Sequence, residues 1–491
     1  MKTTKVKYRD SIWKERHRAS QKAKKYLKKH LKRVEAQLIR YKLENKLLKK
    51  RAESAEMATL ELSKVASVPD GQGSVEAPQG HKYGLWLICL CVQLQTGANL
   101  SYRQVRKVIA AFLKEKKLPL VVPSATSIRN WVRKISYYRL CYDIYTTEMV
   151  VGDKVLLIDL SAGIGREKAL VILGVDVKAW NSNAHALTFS DICVLSVKTG
   201  TIWNSDTISA EIASVKDKIG GKIPYIVTDR DSTVRAACRQ SGCVNVSDCT
   251  HWLSNCLERY YKSDEQFKLL QAELGKMRQK WVNSKFSALI APNMRTKSRF
   301  LNLYEIIDWL DKLKSNWVKL DLEIQEALGF IKLHEVLIEE LILMIDLIKK
   351  ISKILKNNGL DAQTELAVKG LFGEITHKTT NVTRFELDMT NYMHDTRALL
   401  PDENNILCCD DVIESVFGKF KNRGNKGVSQ GITEDVMTIA LFNGNIETAQ
   451  TKDALESVKL NDIEHWADKN IVPSFAKTKN AFWRKLVPKR A

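Results

Sequence analysis

Val155-Leu156-Leu157-Ile158-Asp159-Leu160 is the stretch on which the fold turns. Consecutive apolar residues with β-branched members read as a strand buried on both faces. The carboxylate near its end is costly to desolvate unless it is paired or metal-bound. A second run, Ala169–Val175, and an alternating third, Ala186–Val197, ending in the turn Lys198-Thr199-Gly200-Thr201, continue the pattern. A helix follows over Ile208–Ile219, then the strand Pro224–Thr228, which ends at Asp229. A helix over Ser232–Gln240, a short strand around Val244–Val246 and a helix from Cys249 to Tyr261 complete an α/β sheet.

Outward from this sheet the pattern changes on both sides. Residues 262–400 are helical in period, with Phe267–Val282, Asn302–Val318, Leu322–Leu355 and Leu360–Phe372 as segments, and read as an all-helical domain inserted into the α/β domain. Trp281, Trp309 and Trp317 are expected in its core. Residues 83–140 read as a small helical domain. An apolar helix spans Leu85–Gln95, a second opens at the N-cap Ser101, and a third opens near Ser124 or Thr126. The third carries Ile128, Trp131, Val132 and Ile135 on one side and Arg129, Arg133 and Lys134 on the other, which suggests a helix-turn-helix with those cations facing DNA. Residues 12–65 read as one long helix whose Leu27, Leu31, Val34, Leu38, Tyr41, Asn45 and Leu48 form a heptad seam. Such a helix either packs on its own domain or dimerises, with Asn45 fixing register.

The expected organisation is therefore multidomain, α and α/β. A basic coiled-coil helix (1–65) and a linker rich in Pro and Gly (66–82) precede the helix-turn-helix domain (83–145). The α/β domain comes in two parts (146–261 and 401–445) around the helical insertion (262–400), and a helical basic tail (446–491) ends the chain.

The charge is uneven. The formal net charge of +22 over 491 residues gathers in residues 1–51, at +16, and 101–140, at +9, leaving the rest at −3. Two basic segments on a near-neutral body are the footprint of a nucleic-acid binder, and a uniformly basic shell is disfavoured. The most apolar run, Tyr83–Leu94, is far short of the ~20 residues that span a membrane. The charged N-terminus lacks the apolar core of a secretory signal. Ten cysteines at irregular spacings read as reduced thiols of a cytosolic or nuclear compartment, and the expected location is the cytoplasm, with the nucleoid if the source is bacterial. Cys238, Cys243, Cys249, His251 and Cys256 cluster, but not at the spacings of zinc modules.

Three carboxylates stand where chemistry would want them. Asp159 and Asp229 end buried strands, where carboxylates of an α/β sheet converge on one crevice; singly, each is also compatible with a cap or turn. Asp231 rivals Asp229, although it can cap the next helix. The third is Glu414, in Asp410-Asp411-Val412-Ile413-Glu414-Ser415-Val416-Phe417-Gly418-Lys419-Phe420-Lys421. Here Val412, Ile413, Val416, Phe417 and Phe420 form one apolar stripe and Glu414, Gly418 and Lys421 fall on the other side. Asp410 and Asp411 are read as caps. Lys419, Lys421, Arg423 and Lys426 follow without an acidic residue from 415 to 427, and suit phosphate contacts.

The order strand-Asp, strand-Asp, helix-Glu resembles the RNase H-like DDE transposases of insertion sequences, over roughly residues 151–445. The gap of 185 residues between Asp229 and Glu414 is similar to that of members with an all-helical insertion before the glutamate. Those members often carry a Cys/Asp-x-x-His signature, matched by Asp248-Cys249-Thr250-His251. The resemblance implies an RNase H-like mixed sheet and Asp159, Asp229 and Glu414 as catalytic, metal-binding residues. It implies two Mg²⁺ ions per site (Mn²⁺ as substitute), bridged by Asp159, with Asp248 and His251 as auxiliary residues. His251 then orients the site, touches DNA or is structural. The implied activity is cleavage of double-stranded DNA at transposon ends and strand transfer into target DNA, by a homodimer or larger assembly away from membranes. Two other readings stay open: a non-enzymatic DNA-binding protein or regulator derived from a transposase, and an RNase H-fold nuclease without strand transfer.

Overall fold

The computed structural model describes residues 77–491, apart from 117, 119, 142–149, 163–166, 230, 294–302, 422–431, 445, 474–477, 480–481 and 484–491. The expected coiled-coil helix with Asn45, the linker up to residue 76 and the loop carrying Arg423 and Lys426 lie outside the described residues. Contacts divide the chain into two compact units. Of the described residues, Lys262–Glu339 form one, and those up to Tyr261 and from Glu340 form the other.

The larger unit begins with three helices. The first, α1 (Leu85–Thr96), is apolar all round, so ten of its twelve residues are buried. Helix α2 (Tyr102–Glu115) starts with a reciprocal capping box between Ser101 and Gln104, and buries only Val105, Ile109 and Leu113. Helix α3 (Ala125–Cys141) is capped by Ser124, whose Oγ accepts the Ser127 N–H at 3.0 Å. Its Ile128, Trp131, Val132 and Ile135 share a core with α1 and α2, and with Leu441, Ile446, Ala454 and Leu455 from near the other end of the chain.

The sheet follows. Strands β1 (Lys154–Ala162), β2 (Lys168–Asp176) and β3 (Ile192–Gly200) form an antiparallel meander. Helix α4 (Ser205–Ile219), capped by Asn204, ends at Gly220, whose φ of +58° is the left-handed turn that glycine accepts. The chain then crosses to β4 (Tyr225–Thr228), runs through α5 (Ser232–Gln240) to β5 (Val244–Ser247) and leaves in α6 (Cys249–Tyr261). The strand order is β3-β2-β1-β4-β5, with β4 parallel to β1 and β5 parallel to β4. The first apolar run is thus the middle strand of a mixed sheet.

In the smaller unit, α7 (Glu265–Trp281) is capped by Asp264 and buries Phe267, Leu270, Leu274, Met277 and Trp281. Helix α8 (Leu303–Ser315) buries Leu303, Ile306, Ile307, Leu310 and Leu313. Trp281 is a core residue, but Trp309 and Trp317 are only half-buried, and Trp317 carries the Lys332 ammonium 5.2 Å from its ring centroid. The exposed side of an indole here serves a cation.

The larger unit resumes within α9 (Glu335–Asn358), at Glu340, and continues with α10 (Ala362–Gly373) and α11 (Thr380–Leu399). Gly359, at φ +71°, makes the turn after α9, and a Cβ there would collide with Asn405 and Ile406. Leu360 and Ile406 pair as an isolated antiparallel bridge, which delivers the chain to α12 (Asp411–Lys421). A 3₁₀ helix (Glu434–Leu441), α13 (Thr448–Ser457) and α14 (Leu460–Asn470) follow. No helix among the described residues is long and apolar enough to cross a membrane.

Candidate functional site

Strand register builds the site. In the parallel half of the sheet Ile158 is level with Thr228, and Thr228 with Ser247. The next residue in each case is an aspartate, so Asp159, Asp229 and Asp248 form a row level with the carboxyl ends of β4 and β5; Asp159 does not end its strand as expected, since β1 runs on to Ala162 in its pairing with β2. That edge of an open α/β sheet is where side chains can meet a ligand without breaking the ladder. The turn after β4 is held by its own carboxylates. Asp229 Oδ1 accepts the Asp231 N–H at 2.8 Å, and Asp231 Oδ1 accepts the N–H groups of Thr233 and Val234 at 2.8 and 3.2 Å. Asp231 is therefore the cap of α5, and Asp229 is the residue of this turn that belongs to the row.

Glu414 comes from α12, whose Val412, Ile413, Val416, Phe417 and Phe420 are buried, while Glu414 lies on the outer face with its side chain 54% exposed. Its Oε1 stands 3.4 Å from His251 Nε2, and the other ring nitrogen, Nδ1, is 3.0 Å from Asp248 Oδ2. The Asp248 carboxylate also accepts the His251 N–H at 2.6 Å and the Asp410 N–H at 3.0 Å. One buried carboxylate thus caps α6, orients the imidazole and ties down the segment that leads into α12. Cys249 N–H donates to the Cys408 carbonyl at 2.8 Å, and Lys356 Nζ pairs with Asp411 at 2.7 Å, which fix the same junction from two further sides.

The electrostatics follow from this crowding. Burial, then the Asp229 carboxylate, pushes the Asp159 carboxyl up to about 6, with Glu414 adding to the rise and the Leu160 N–H and His251 opposing it. Partial desolvation raises Glu414, against the attraction of His251. The hydrogen bond that its ring donates to Asp248 holds His251 up to about 9, so the imidazole is cationic at neutral pH. Burial and the facing Asp248 hold Asp410 well above the usual carboxylate range. Asp410 is 2% exposed, and its Oδ1 has no hydrogen-bond partner. It is not the simple cap that its position suggests: its side chain turns inward against Asp248.

Sequence reasoning named Asp159, Asp229, Glu414, His251 and Asp248, and the structure gathers all five. Asp410 was weighed against Glu414 and set aside as a cap, since its signal was only a second acid before a helix. The ligand atoms of Asp248, His251 and Asp410 lie within 4.8 Å of one another, as do those of Asp248, Cys249 and Cys409. The cysteines group differently from their order in sequence: Cys249 lies against Cys408 and Cys409, and Cys238 faces Cys243.

The cations fare differently. Arg129 and Arg133 both reach Glu434, at 2.7 and 3.3 Å, and Lys134 Nζ donates to the Leu455 carbonyl at 2.8 Å. Arg133 is 8% exposed, and along α3 only Thr126 and Cys141 are fully exposed. The three cations of α3 that the sequence set towards DNA thus have partners within the fold, and Arg129 keeps 43% of its side chain exposed. The 3₁₀ helix Glu434–Leu441 and α13 cover the polar side of α3, so its cations are used inside the fold. Lys419 sits over the rings of Phe189 and Phe442, at 4.4 and 4.9 Å, and Lys421 lies 5.8 Å from the Phe417 ring centroid on the face of Glu414.

Comparison of the chain with protein-family models and with curated proteins finds no match.

Proposed function

We propose that the chain is a metal-dependent phosphoryl transferase acting on DNA, a transposase of the DDE kind. One observation carries the reading: the register of the parallel strands sets Asp159 and Asp229 side by side at the sheet's carboxyl edge, and α12 brings Glu414 to them. The strand order, an antiparallel meander followed by two parallel strands with the first aspartate on the middle strand, is what an RNase H-like domain requires. The basic segments of the sequence supply the attraction for DNA.

The residues present suit divalent ions. A carboxyl held up near 6 by burial and by a second carboxylate is a site where positive charge is wanted, and its donors are hard oxygens of the kind that Mg²⁺ and Mn²⁺ take. Asp159, Asp229 and Glu414 would hold such ions. Bound there, they would supply a stronger nucleophile and charge stabilisation at the leaving oxygen of an in-line displacement. The chain's own side chains do the positioning. Asp248 fixes His251, and His251 keeps Glu414 in place and adds a cation beside the path of the phosphate. Lys421 extends that path along the outer face of α12, where Gly418 leaves open space: a Cβ on it would meet nothing within 4 Å.

The reading is tested with the full chain, a supercoiled plasmid carrying the DNA that flanks the gene, and Mg²⁺ or Mn²⁺. The parent is expected to nick or cut at the element ends and to join them to target DNA, and Glu414→Gln is expected to bind DNA but lose cutting by at least about a hundredfold. Cutting by Glu414→Gln at the parental rate would sink the site assignment. Binding without cutting by the parent would favour a DNA-binding protein, and cutting without joining a nuclease.

A further inference from the structure

We propose that duplex DNA docks on α2, with the outer face of this helix in the major groove. The inference rests on the DNA reading above but assigns the contact to a helix that the sequence pattern did not single out. Arg103, Arg106, Lys107 and Lys114 are all exposed, and none makes an ion pair among the described residues. At about 100° per residue they fall within an arc of about 100°, whose centre lies about 110° round the helix from that of the buried Val105, Ile109 and Leu113. Ala110 lies within that arc, so the middle of the stripe is low enough for close approach. Arg103 in the first turn adds to the positive end of the helix dipole.

The dimensions fit a duplex. Arg103 and Lys114 are separated by roughly 16 Å along the axis, at about 1.5 Å per residue. The major groove is about 12 Å wide, so the two ends of the stripe reach the phosphates of both walls while Arg106 and Lys107 face the base edges. The rest of the domain argues the same way. The cations of α3 are neutralised by Glu434 or bonded to the Leu455 carbonyl, and α3 is covered. Among the described residues, α2 is the helix of this domain whose cationic face is left open. Charge complementarity therefore selects the polyanion, and the stripe's length selects a groove.

Fluorescence anisotropy with the full chain and a labelled random-sequence duplex, over a series of salt concentrations, tests this. Arg103→Glu with Lys114→Glu is expected to weaken binding about tenfold or more and to lower the slope of log affinity against log salt by about 1.8, the share of two phosphate contacts. Lys276→Glu with Lys280→Glu, the same charge change on exposed positions of α7, is expected to leave the slope unchanged. Thermal melts establish that both variants fold. Parental affinity and slope in the α2 variant would overturn the docking face and leave the DNA reading standing. An equal loss in both variants would overturn it as an effect of net charge. A parent that does not bind duplex at low salt would overturn both readings.

Discussion

Asp159→Asn separates a metal-holding carboxylate from an ordinary buried one. In the metal-free protein the Asp159 carboxyl, ordinarily near 3.8, is pushed up to about 6 by burial and then by Asp229. Above both values the folded state holds a charge that the unfolded chain holds more easily, a difference of about 3 kcal/mol. Below 3.8 the group is neutral in both states and the cost vanishes; it grows from there to about 6 and is complete at higher pH. Asparagine carries no charge and still offers an acceptor to the Leu160 N–H, which Asp159 Oδ1 now accepts at 2.6 Å. In chelator at about pH 7.5, the variant is therefore expected to be more stable than the parent by up to about 3 kcal/mol, and near pH 3.5 equal to it within about 0.5 kcal/mol. For a unit of this size the gap reads as roughly 5 °C in melting temperature. Adding Mn²⁺ at the higher pH should raise the parent and not the variant. A variant no more stable than the parent in chelator, or an equal response of both to Mn²⁺, would refute the reasoning.

Two further substitutions probe the supports. Asp248→Ala removes the acceptor of three N–H groups and is expected to cost about 3 kcal/mol in denaturant unfolding. It should also release His251 from about 9 towards 6.5, seen as a shifted imidazole titration by NMR. A raised histidine stabilises fully below 6.5 and loses that contribution as pH rises through about 9, so the parent should lose stability across this window and the variant should not. His251 still titrating near 9 in the variant would show that Asp248 is not the cause. Glu434→Ala strands the buried Arg133, whose Nε already has no partner, and is expected to cost about 2–3 kcal/mol. Arg129→Ala, which removes the more exposed arm of the same pair, should cost less than about 1 kcal/mol. Equal losses would refute the distinction.

The parts of the fold that were legible in the sequence are those whose signal is local. Apolar runs of strand length gave β1, β2 and β4, and the period of α12 gave both its buried stripe and the outward place of Glu414. Asp231 was readable as a cap because capping acts over three residues. What was not legible depends on residues far apart in the chain. Arg129, Arg133 and Lys134 looked like a free basic face because nothing near them in sequence covers them; Glu434 and Leu455, which do, lie some 300 residues on. Exposed and buried cations on a helix are alike in sequence, so α2 and α3 could be told apart only once the C-terminal segment was in place. The equal rank of Asp248 with Asp159 and Asp229 likewise depended on the β4–β5 register, which a four-residue strand does not announce.

The place of Glu414 is a problem of long-range positioning. The chain leaves the sheet at Ser247, touches it again at Tyr392, whose hydroxyl donates to the Ser247 carbonyl, and meets β4 at Leu407, yet the glutamate must stand within reach of two aspartates on fixed strands. A helix packed by an apolar stripe alone can slide along it, since hydrophobic contacts are not directional. Four directional restraints gather at its start: Leu407 N–H on the Tyr225 hydroxyl at 2.7 Å, Cys249 N–H on Cys408, Asp410 N–H on Asp248, and Lys356 on Asp411. Two of these run to the strands that carry the aspartate row, to Tyr225 at the start of β4 and to Asp248 itself just after β5. The helix is thus gauged against the strands that carry the other carboxylates. This explains why a buried acid pair is tolerated beside the site. Asp248 gives its lone pairs to N–H groups from both sides of the junction, and Asp410, kept neutral, removes the second charge that would otherwise push α12 away.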